Sequence, residues 1–397
     1  MKAIPYGRQN ITPEDISAVV EALQSDYLTK GPRILEFEQN FSEYLGCDFS
    51  VAVSNGTAAL HLAVMALGLE PGQKVITTPI TFAASANCVK YCGGDIVFAD
   101  IDPDTYLIDL KNIENILSKS KPGEYAGIVP VDFAGRSVNL EDLRVIADKY
   151  NLWIIEDACH SPGGYFIDKN GEKQNCGNGR FAELSAFSFH PVKHIAAGEG
   201  GLISTNSQSL YNKLMQLRTH GIVKDNSSYI NSPSFACGQQ SDEYPGWYME
   251  MQELGYNYRI TDFQAALGSS QLKRADEGII KRRSIASTYN QAFEDKSFIK
   301  GQSGDVEGHA YHLYVIEVEN RKGLYDYLRS KSIYAQIHYI PCHLMPYYKN
   351  LGWKEGDMPH AESFYKKCIS LPMYPTLTND EQQYVISSVT EFYEIGI

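Results

Sequence analysis

Short apolar, β-branched runs recur along the first half of the chain, at 51–53, 75–78, 96–99, 127–131, 152–156 and 202–205, and segments of helical period lie between them. That rhythm predicts right-handed βαβ crossovers and a mainly parallel sheet. Ahead of it, Thr12 fits a helix N-cap and Pro13 the first helical position, and Ile16, Val19, Val20 and Leu23 follow on one face, which predicts a helix over 12–25. The pattern breaks after residue 220. Residues 223–250 are rich in Ser, Asn, Gly and Tyr, show no period and read as a long loop. From about 260 a long helical stretch begins, followed by an apolar run at 311–318, a helical pattern near 323–330 and a terminal helix over 380–393. This predicts a smaller α/β domain packed on the first. No internal repeat or low-complexity tract interrupts the series.

Composition sharpens the picture. With 397 residues, 43% hydrophobic and 21% charged, the chain is an ordinary globular protein too long for one core, so two domains are expected. The formal net charge of −13 excludes an electrostatic grip on nucleic acid or anionic membrane, because such a grip needs an excess of Lys and Arg. Any bound phosphate must therefore sit in a local site. The first ten residues hold Lys2, Pro5 and Arg8 but no apolar core of a leader, and no apolar run approaches the about 18 residues of a membrane span. A cytoplasmic protein is expected. Eight cysteines are scattered without a CxxC pair or a close Cys/His cluster, so they read as free thiols and no metal site is expected.

In an open parallel sheet ligands bind beyond the carboxyl ends of the strands, so residues just after each strand carry the chemistry. Three such places stand out. Ser54-Asn55-Gly56-Thr57 follows the 51–53 run and starts a helix; a Gly, a hydroxyl and free backbone N–H groups there suit one phosphate, although the same residues also make an ordinary turn and cap. Glu156-Asp157-Ala158-Cys159-His160 closes the 152–156 run. Asp157 there can hold a cofactor's pyridine nitrogen protonated or merely cap a helix, and His160 can face a ring hydroxyl or be a satisfied core polar group. The third place, Ser185 to His194, contains Lys193 among small and aromatic residues, ahead of Gly198-Glu199-Gly200-Gly201. Desolvation there would lower the amine's pKa and favour an imine, whereas viewed alone Lys193 reads as a surface lysine. His190 and His194 stand four apart, but Pro191 and the missing Glu partner disfavour zinc.

Taken together, the phosphate cradle, the strand-end Asp157 and Lys193 come in the order in which a large α/β domain grips pyridoxal phosphate. Here the sequence resembles the DegT/DnrJ/StrS family of sugar aminotransferases, from Tyr27-Leu28-Thr29-Lys30-Gly31-Pro32, through Thr78-Pro79-Ile80-Thr81-Phe82-Ala83-Ala84-Ser85-Ala86-Asn87, to Gly255-Tyr256-Asn257-Tyr258-Arg259-Ile260-Thr261-Asp262. The resemblance implies the aspartate aminotransferase-like architecture, fold type I of the pyridoxal phosphate enzymes. It divides the chain into an N-terminal arm and first helix (1–30), a large cofactor-binding domain (31–255) and a small C-terminal domain (256–397). By resemblance Lys193 matches the Schiff-base lysine, Asp157 the partner of the pyridine nitrogen and His160 the residue at the ring hydroxyl. Phe82 falls where an aromatic ring stacks on the cofactor; Gly56, Thr57 and Ser188 fall at its phosphate. Asn257 matches a residue reaching the phosphate from a neighbouring subunit, which implies a homodimer with shared sites. Phe82 as core and Asn257 as a turn residue are the plain alternatives.

Within the family, Tyr6, Asp26-Tyr27-Leu28-Thr29 and Gln336-Ile337-His338-Tyr339 resemble the branch that acts on a UDP-linked 4-keto-6-deoxy-N-acetylhexosamine on the way to pseudaminic acid. Tyr6 and Tyr27 offer faces for a uracil or sugar ring, and His338 and Tyr339 suit a diphosphate. The resemblance implies glutamate as amino donor. The 223–250 segment, with its five aromatic residues Tyr229, Phe235, Tyr244, Trp247 and Tyr248, is longer than the branch pattern, and a loop of that size is expected to lie over the site and reshape the sugar pocket. A dTDP-linked keto sugar is a competing substrate. Two other rivals are a sugar dehydratase, which has His in place of the lysine, and a regulatory protein of the same fold that binds the cofactor without catalysis. Lys193 speaks against the first.

Overall fold

In a computed structural model of the chain, residues 3–303 and 307–394 are described; the first two residues of the expected arm and the last three of the expected small domain lie outside. A seven-stranded sheet forms the centre, in the spatial order Phe49–Val53, Gly201–Thr205, Leu184–Ser188, Trp153–Asp157, Tyr125–Val129, Lys74–Thr77, Asp95–Phe98. Only Gly201–Thr205 runs antiparallel; the other six strands point one way. Their inner residues, such as Val51, Ile76, Ile128, Ile154 and Ala186, are almost completely buried, because helices cover both faces.

The six predicted strands all form, with bounds shifted by a residue or two. A seventh, Leu184–Ser188, was not expected as a strand. Its sequence, Leu-Ser-Ala-Phe-Ser, has neither a continuous β-branched run nor a solvent-facing alternation; it lies between two other strands and takes its shape from them. The helix over Pro13–Gln24 starts at the expected cap, where Asp15 accepts the Thr12 N–H and is bound in turn by Arg274 and Gln271.

Helices Asp262–Leu272 and Ala275–Phe293 lead to a three-stranded sheet of Ile299–Gly301, Tyr314–Val318 and Cys368–Leu371. Helices Arg321–Ser330 and Asn379–Glu394 pack with this sheet into a separate core around Tyr289, Ile316, Leu324, Val385 and Val389. Between them, residues such as Cys342, Tyr348, Ala361 and Phe364 join the core of the large sheet. The N-terminal arm is pinned by a short parallel pairing of Ile4–Pro5 with Ile333–Tyr334, which carries Tyr6 to the mouth between the two sheets.

The 223–250 excursion is folded rather than a plain loop. Ile222–Val223 pairs with Glu250–Met251 at its neck, and Pro233–Cys237 forms a short helix. Tyr229, Tyr244 and Tyr248 pack ring against ring, and the Glu250 carboxylate accepts from the N–H groups of Ile230 and Asn231 and from the Tyr248 hydroxyl. No residue between 223 and 250 lines the cleft of its own chain, contrary to the expectation that this segment lies over it. Among the described residues no helix is long and apolar enough to cross a membrane, and the eight cysteines are free thiols.

Candidate active site

A cleft of about 750 Å³ opens where the carboxyl ends of the central strands meet the small sheet, and it gathers Gly56, Thr57, Phe82, Asp157, His160, Ser188 and Lys193. Residues distant in sequence converge here because every βα turn of a parallel sheet delivers its first residues to the same edge. Helix Gly56–Ala66 begins at that edge. The Asn55 side chain accepts the Ala58 N–H at 2.8 Å, which caps the helix and leaves the earlier N–H groups without an intrahelical partner. Gly56 faces Ser188 so closely that a Cβ would sit 2.9 Å from the serine's Cβ, and one on Gly201 would lie 2.4 Å from the Asn55 carbonyl oxygen. The start of this helix, Thr57 and Ser188 thus line the same cleft.

Asp157 ends its strand 5% exposed, with each carboxylate oxygen held. Ser85 Oγ donates to Oδ2 at 2.6 Å and the Cys159 N–H to Oδ1 at 3.2 Å. Thr81 Oγ1 lies 2.7 Å from Ser85 Oγ, so with Ser85 donating to the carboxylate, Thr81 donates to Ser85. Sequence reading missed this relay; the one trace of it is the spacing of four between two hydroxyls in a helix start.

Lys193 stands on the turn after Leu184–Ser188 with its amine free and 3.4 Å from His312 Nε2. Burial holds the amine below the usual lysine range; Asp157 and Cys159 oppose this and Arg282 adds to it. His160 accepts the Ala134 N–H at Nδ1, so its Nε2 carries the proton and donates to the Tyr339 hydroxyl at 3.2 Å. Burial, then Lys193, keeps this imidazole well below its ordinary range and therefore neutral. His338, pulled down to about 3 by burial, meets the Ser370 hydroxyl at 2.9 Å and Tyr6 at 5.1 Å between ring centroids. Phe82 is 64% exposed at the cleft, which leaves a face for a flat ligand.

The other expected residues are placed elsewhere. Asp26, Tyr27, Leu28, Thr29, Gln336, Ile337 and Asn257 are not part of the cleft wall. Tyr27 and Leu28 are exposed beside Asp262, whose N–H bonds the Leu28 carbonyl. Gln336 pairs with Ser370 through its backbone, and Asn257 is exposed opposite Thr219. Tyr91, Glu199, Tyr258 and His312 line the cleft without having been expected.

Behind Asp157, the buried carboxyls of Asp132 and Glu156 and the Cys176 thiol bring their donor atoms within 4.8 Å of one another. Burial raises all three groups, and the mutual repulsion of the carboxyls raises Glu156 further, so the pair retains a proton. Ser161 and Val138 bind Asp132, while Ser185 and Gly177 bind Glu156. These bonds tie the two carboxyls into the chain directly under the Asp157 strand.

The cradle, the buried strand-end carboxylate and the desolvated amine fit pyridoxal phosphate, each opposite a different part of it. Together with the sheet order, they define a class: pyridoxal phosphate-dependent aminotransferases of fold type I. Comparison with known proteins narrows it, since residues 9–390 match the pattern of the DegT/DnrJ/EryC1/StrS aminotransferase family, and the chain belongs to that family. It is 35% identical to the UDP-4-amino-4,6-dideoxy-N-acetyl-beta-L-altrosamine transaminase of Campylobacter jejuni strain 81-176, over 98% of each chain. It superposes with a TM-score of 0.85 on Helicobacter pylori PseC, an aminotransferase of pseudoaminic acid biosynthesis, at 31% identity over 99% of this chain and 100% of the other. The PLP form of a putative sugar aminotransferase, Spr1654 of Streptococcus pneumoniae, gives 0.86 at 26% identity over both whole chains.

Proposed function

We propose that this enzyme transfers the amino group of glutamate to the C4 ketone of a UDP-linked 4-keto-6-deoxy-N-acetylhexosamine, forming a UDP-4-amino-4,6-dideoxy sugar for pseudaminic acid biosynthesis. The observation that carries the reaction class is the meeting of Lys193, Asp157 and the Asn55 to Thr57 cradle in one cleft. The names of the Campylobacter and Helicobacter relatives support the substrate. When bound, the cofactor supplies an aldehyde for the amine and a protonated ring that takes up the electron pair of the reacting carbon. In this reading Lys193 Nζ would hold the cofactor through its aldehyde and, once free, would take the proton from the donor's Cα and return one on the sugar half-reaction. Asp157, held by Ser85 and Cys159, would keep the ring nitrogen protonated. His160 would serve the ring hydroxyl, Phe82 the ring face, and Gly56, Thr57 and Ser188 the phosphate.

Tyr6, His338 and Tyr339 form the side of the cleft that would meet the nucleotide sugar. The exposed positions of Asn257 and of Asp26 to Thr29 support a homodimer in which these residues serve the neighbouring chain's site. Free thiols support work in the cytoplasm. A screen of UDP- and dTDP-linked 4-keto sugars for glutamate-dependent amination tests the proposal. Turnover of the UDP-linked N-acetyl sugar is expected; exclusive turnover of a dTDP sugar overturns the substrate, and no turnover of any sugar overturns the function.

A further inference from the structure

We infer that His312 is a positioning residue for the reaction: its Nε2 receives an N–H of Lys193 and thereby aims the lysine's lone pair at the proton it must carry. The inference rests on the reading of Lys193 given above. His312 is contributed by the segment leading into Tyr314–Val318, 119 residues away in sequence, and is 4% exposed. At 3.4 Å, it is the amine's one hydrogen-bond partner among the described residues. Among the described residues the ring's other nitrogen, Nδ1, is buried without a partner, as is that of His194, so the one hydrogen bond of this imidazole is the contact to Lys193.

The backbone that presents the ring is held from several sides. Tyr311 adopts a left-handed conformation (φ 48°), and it abuts Ala134 (φ 61°) and Gly135 (φ 98°). A Cβ on Gly135 would lie 2.8 Å from the Tyr311 nitrogen and 2.9 Å from that of His312, so only glycine allows the approach. Ala310 and Leu313 donate to the Gly135 and Ala134 carbonyls, and His194 Nε2 donates to the Ala310 carbonyl at 2.9 Å. Fully buried Arg282 donates to the carbonyls of Tyr311, His312 and Met373, at 3.0, 3.3 and 3.1 Å. Disfavoured backbone and a buried guanidinium without a carboxylate persist where a side chain has to be aimed.

The groups facing the ring decide its charge. Burial comes first, and Lys193, His160, His194 and Arg282 all disfavour a further positive charge, so the imidazole is neutral. The His160 ring lies 4.3 Å from it and the His194 ring 5.6 Å, centroid to centroid. Cys159 and Asp157 also act on Lys193, favouring its charged form. A neutral ring with its proton on Nδ1 offers Nε2 as an acceptor, and an amine that gives an N–H to it keeps its lone pair turned toward the cleft.

Two variants and two readouts test this. Gln places an acceptor oxygen near the position of Nε2, whereas Leu keeps bulk and removes the acceptor. His312→Leu should slow the half-reaction with glutamate by about tenfold to a hundredfold with little change in the glutamate KM, the scale of loss for a misaimed proton carrier. His312→Gln should restore most of the rate. In cofactor-free protein, modification of Lys193 by trinitrobenzenesulfonate, mapped by peptide, should shift its pH midpoint downward in His312→Leu, because the ammonium loses an acceptor, and return in His312→Gln. Should His312→Leu not fold, His312→Asn, too short to reach, takes its place. A His312→Leu enzyme within about twofold of wild type, a scale far below the loss expected of a proton carrier, overturns the inference, as does a Gln variant as impaired as Leu with an unshifted Lys193 profile. The labelling readout involves no cofactor, so it stands or falls separately from the assignment of Lys193 as the cofactor's anchor.

Discussion

Ser85→Ala isolates the support of the Asp157 carboxylate. Ser85 is fully buried and gives Asp157 Oδ2 a 2.6 Å hydrogen bond, while the other oxygen has only the longer 3.2 Å bond from the Cys159 N–H. Short O–H···O⁻ bonds are the strong, charge-assisted kind, and a hydrogen bond to a charged group contributes about 1.5–3 kcal/mol. If that support is needed while charge moves through the ring nitrogen, its loss slows the glutamate half-reaction by about tenfold to 150-fold, at 1.36 kcal/mol per factor of ten. Ala is a better helix former than Ser at the start of Ala84–Tyr91, which offsets part of the lost Thr81 contact, so folding should survive. Stopped-flow absorbance of the cofactor during a single turnover with glutamate measures the rate, and thermal unfolding of the same sample checks the fold. A rate within about twofold of wild type, against a hydrogen bond to charge of this strength, refutes the reasoning. So does a loss matched by an equal loss of cofactor affinity, which would make Ser85 a binding contact and nothing more.

Four further outcomes are expected. Gly56→Ala pushes a methyl into Ser188, an overpacking that costs about 1–3 kcal/mol and should weaken cofactor binding in an equilibrium titration. Glu156→Gln keeps the hydrogen bonds of the buried acid pair but removes its titration. Asp132, pushed up to about 6, is favoured protonated in the folded chain, so that stability is present below the unfolded carboxylate range and is lost as pH rises through about 6; thermal melts of Glu156→Gln should lose part of this pH dependence, while Glu156→Leu, which strands the Ser185 hydroxyl and the Gly177 N–H, loses about 1–3 kcal/mol. Coexpressed Lys193→Ala and Asn257→Ala chains should recover activity in mixed dimers, because one site carries both lesions and the other neither; no gain over the single mutants contradicts shared sites. Asp157→Asn should cut turnover by orders of magnitude with modest loss of cofactor in an absorbance titration.

Much of this enzyme was legible from residue order alone. Local patterns suffice for the parallel strands, since a buried strand must be apolar, and for the residues that follow them, since the carboxyl edge of such a sheet is where ligands bind. Gly56, Asp157 and His160 stood out that way, Lys193 by its small and aromatic neighbours and Ser188 by family resemblance, and all five line one cleft. The strand Leu184–Ser188 was not, because its neighbours on both sides rather than its own propensities dictate it. Nor were Ser85 and His312: a serine 72 residues from the carboxylate it supports and a histidine 119 residues from the lysine it touches leave no local spacing to read. The 223–250 segment defeated a reading by period because its order comes from three tyrosine rings and one carboxylate rather than from a repeating face. Asn257 and Asp26 to Thr29 carry family signals in sequence, yet a single chain leaves them outside its own cleft.

The central claim is that the Lys193 amine is where the cofactor attaches, and the most direct measurement is chemical. Purified enzyme bound to pyridoxal phosphate is reduced with borohydride, digested, and its peptides are sequenced by mass spectrometry. One pyridoxyl adduct is expected, on Lys193, and none in a Lys193→Ala enzyme. An adduct on any other lysine, or one that persists in Lys193→Ala, contradicts it.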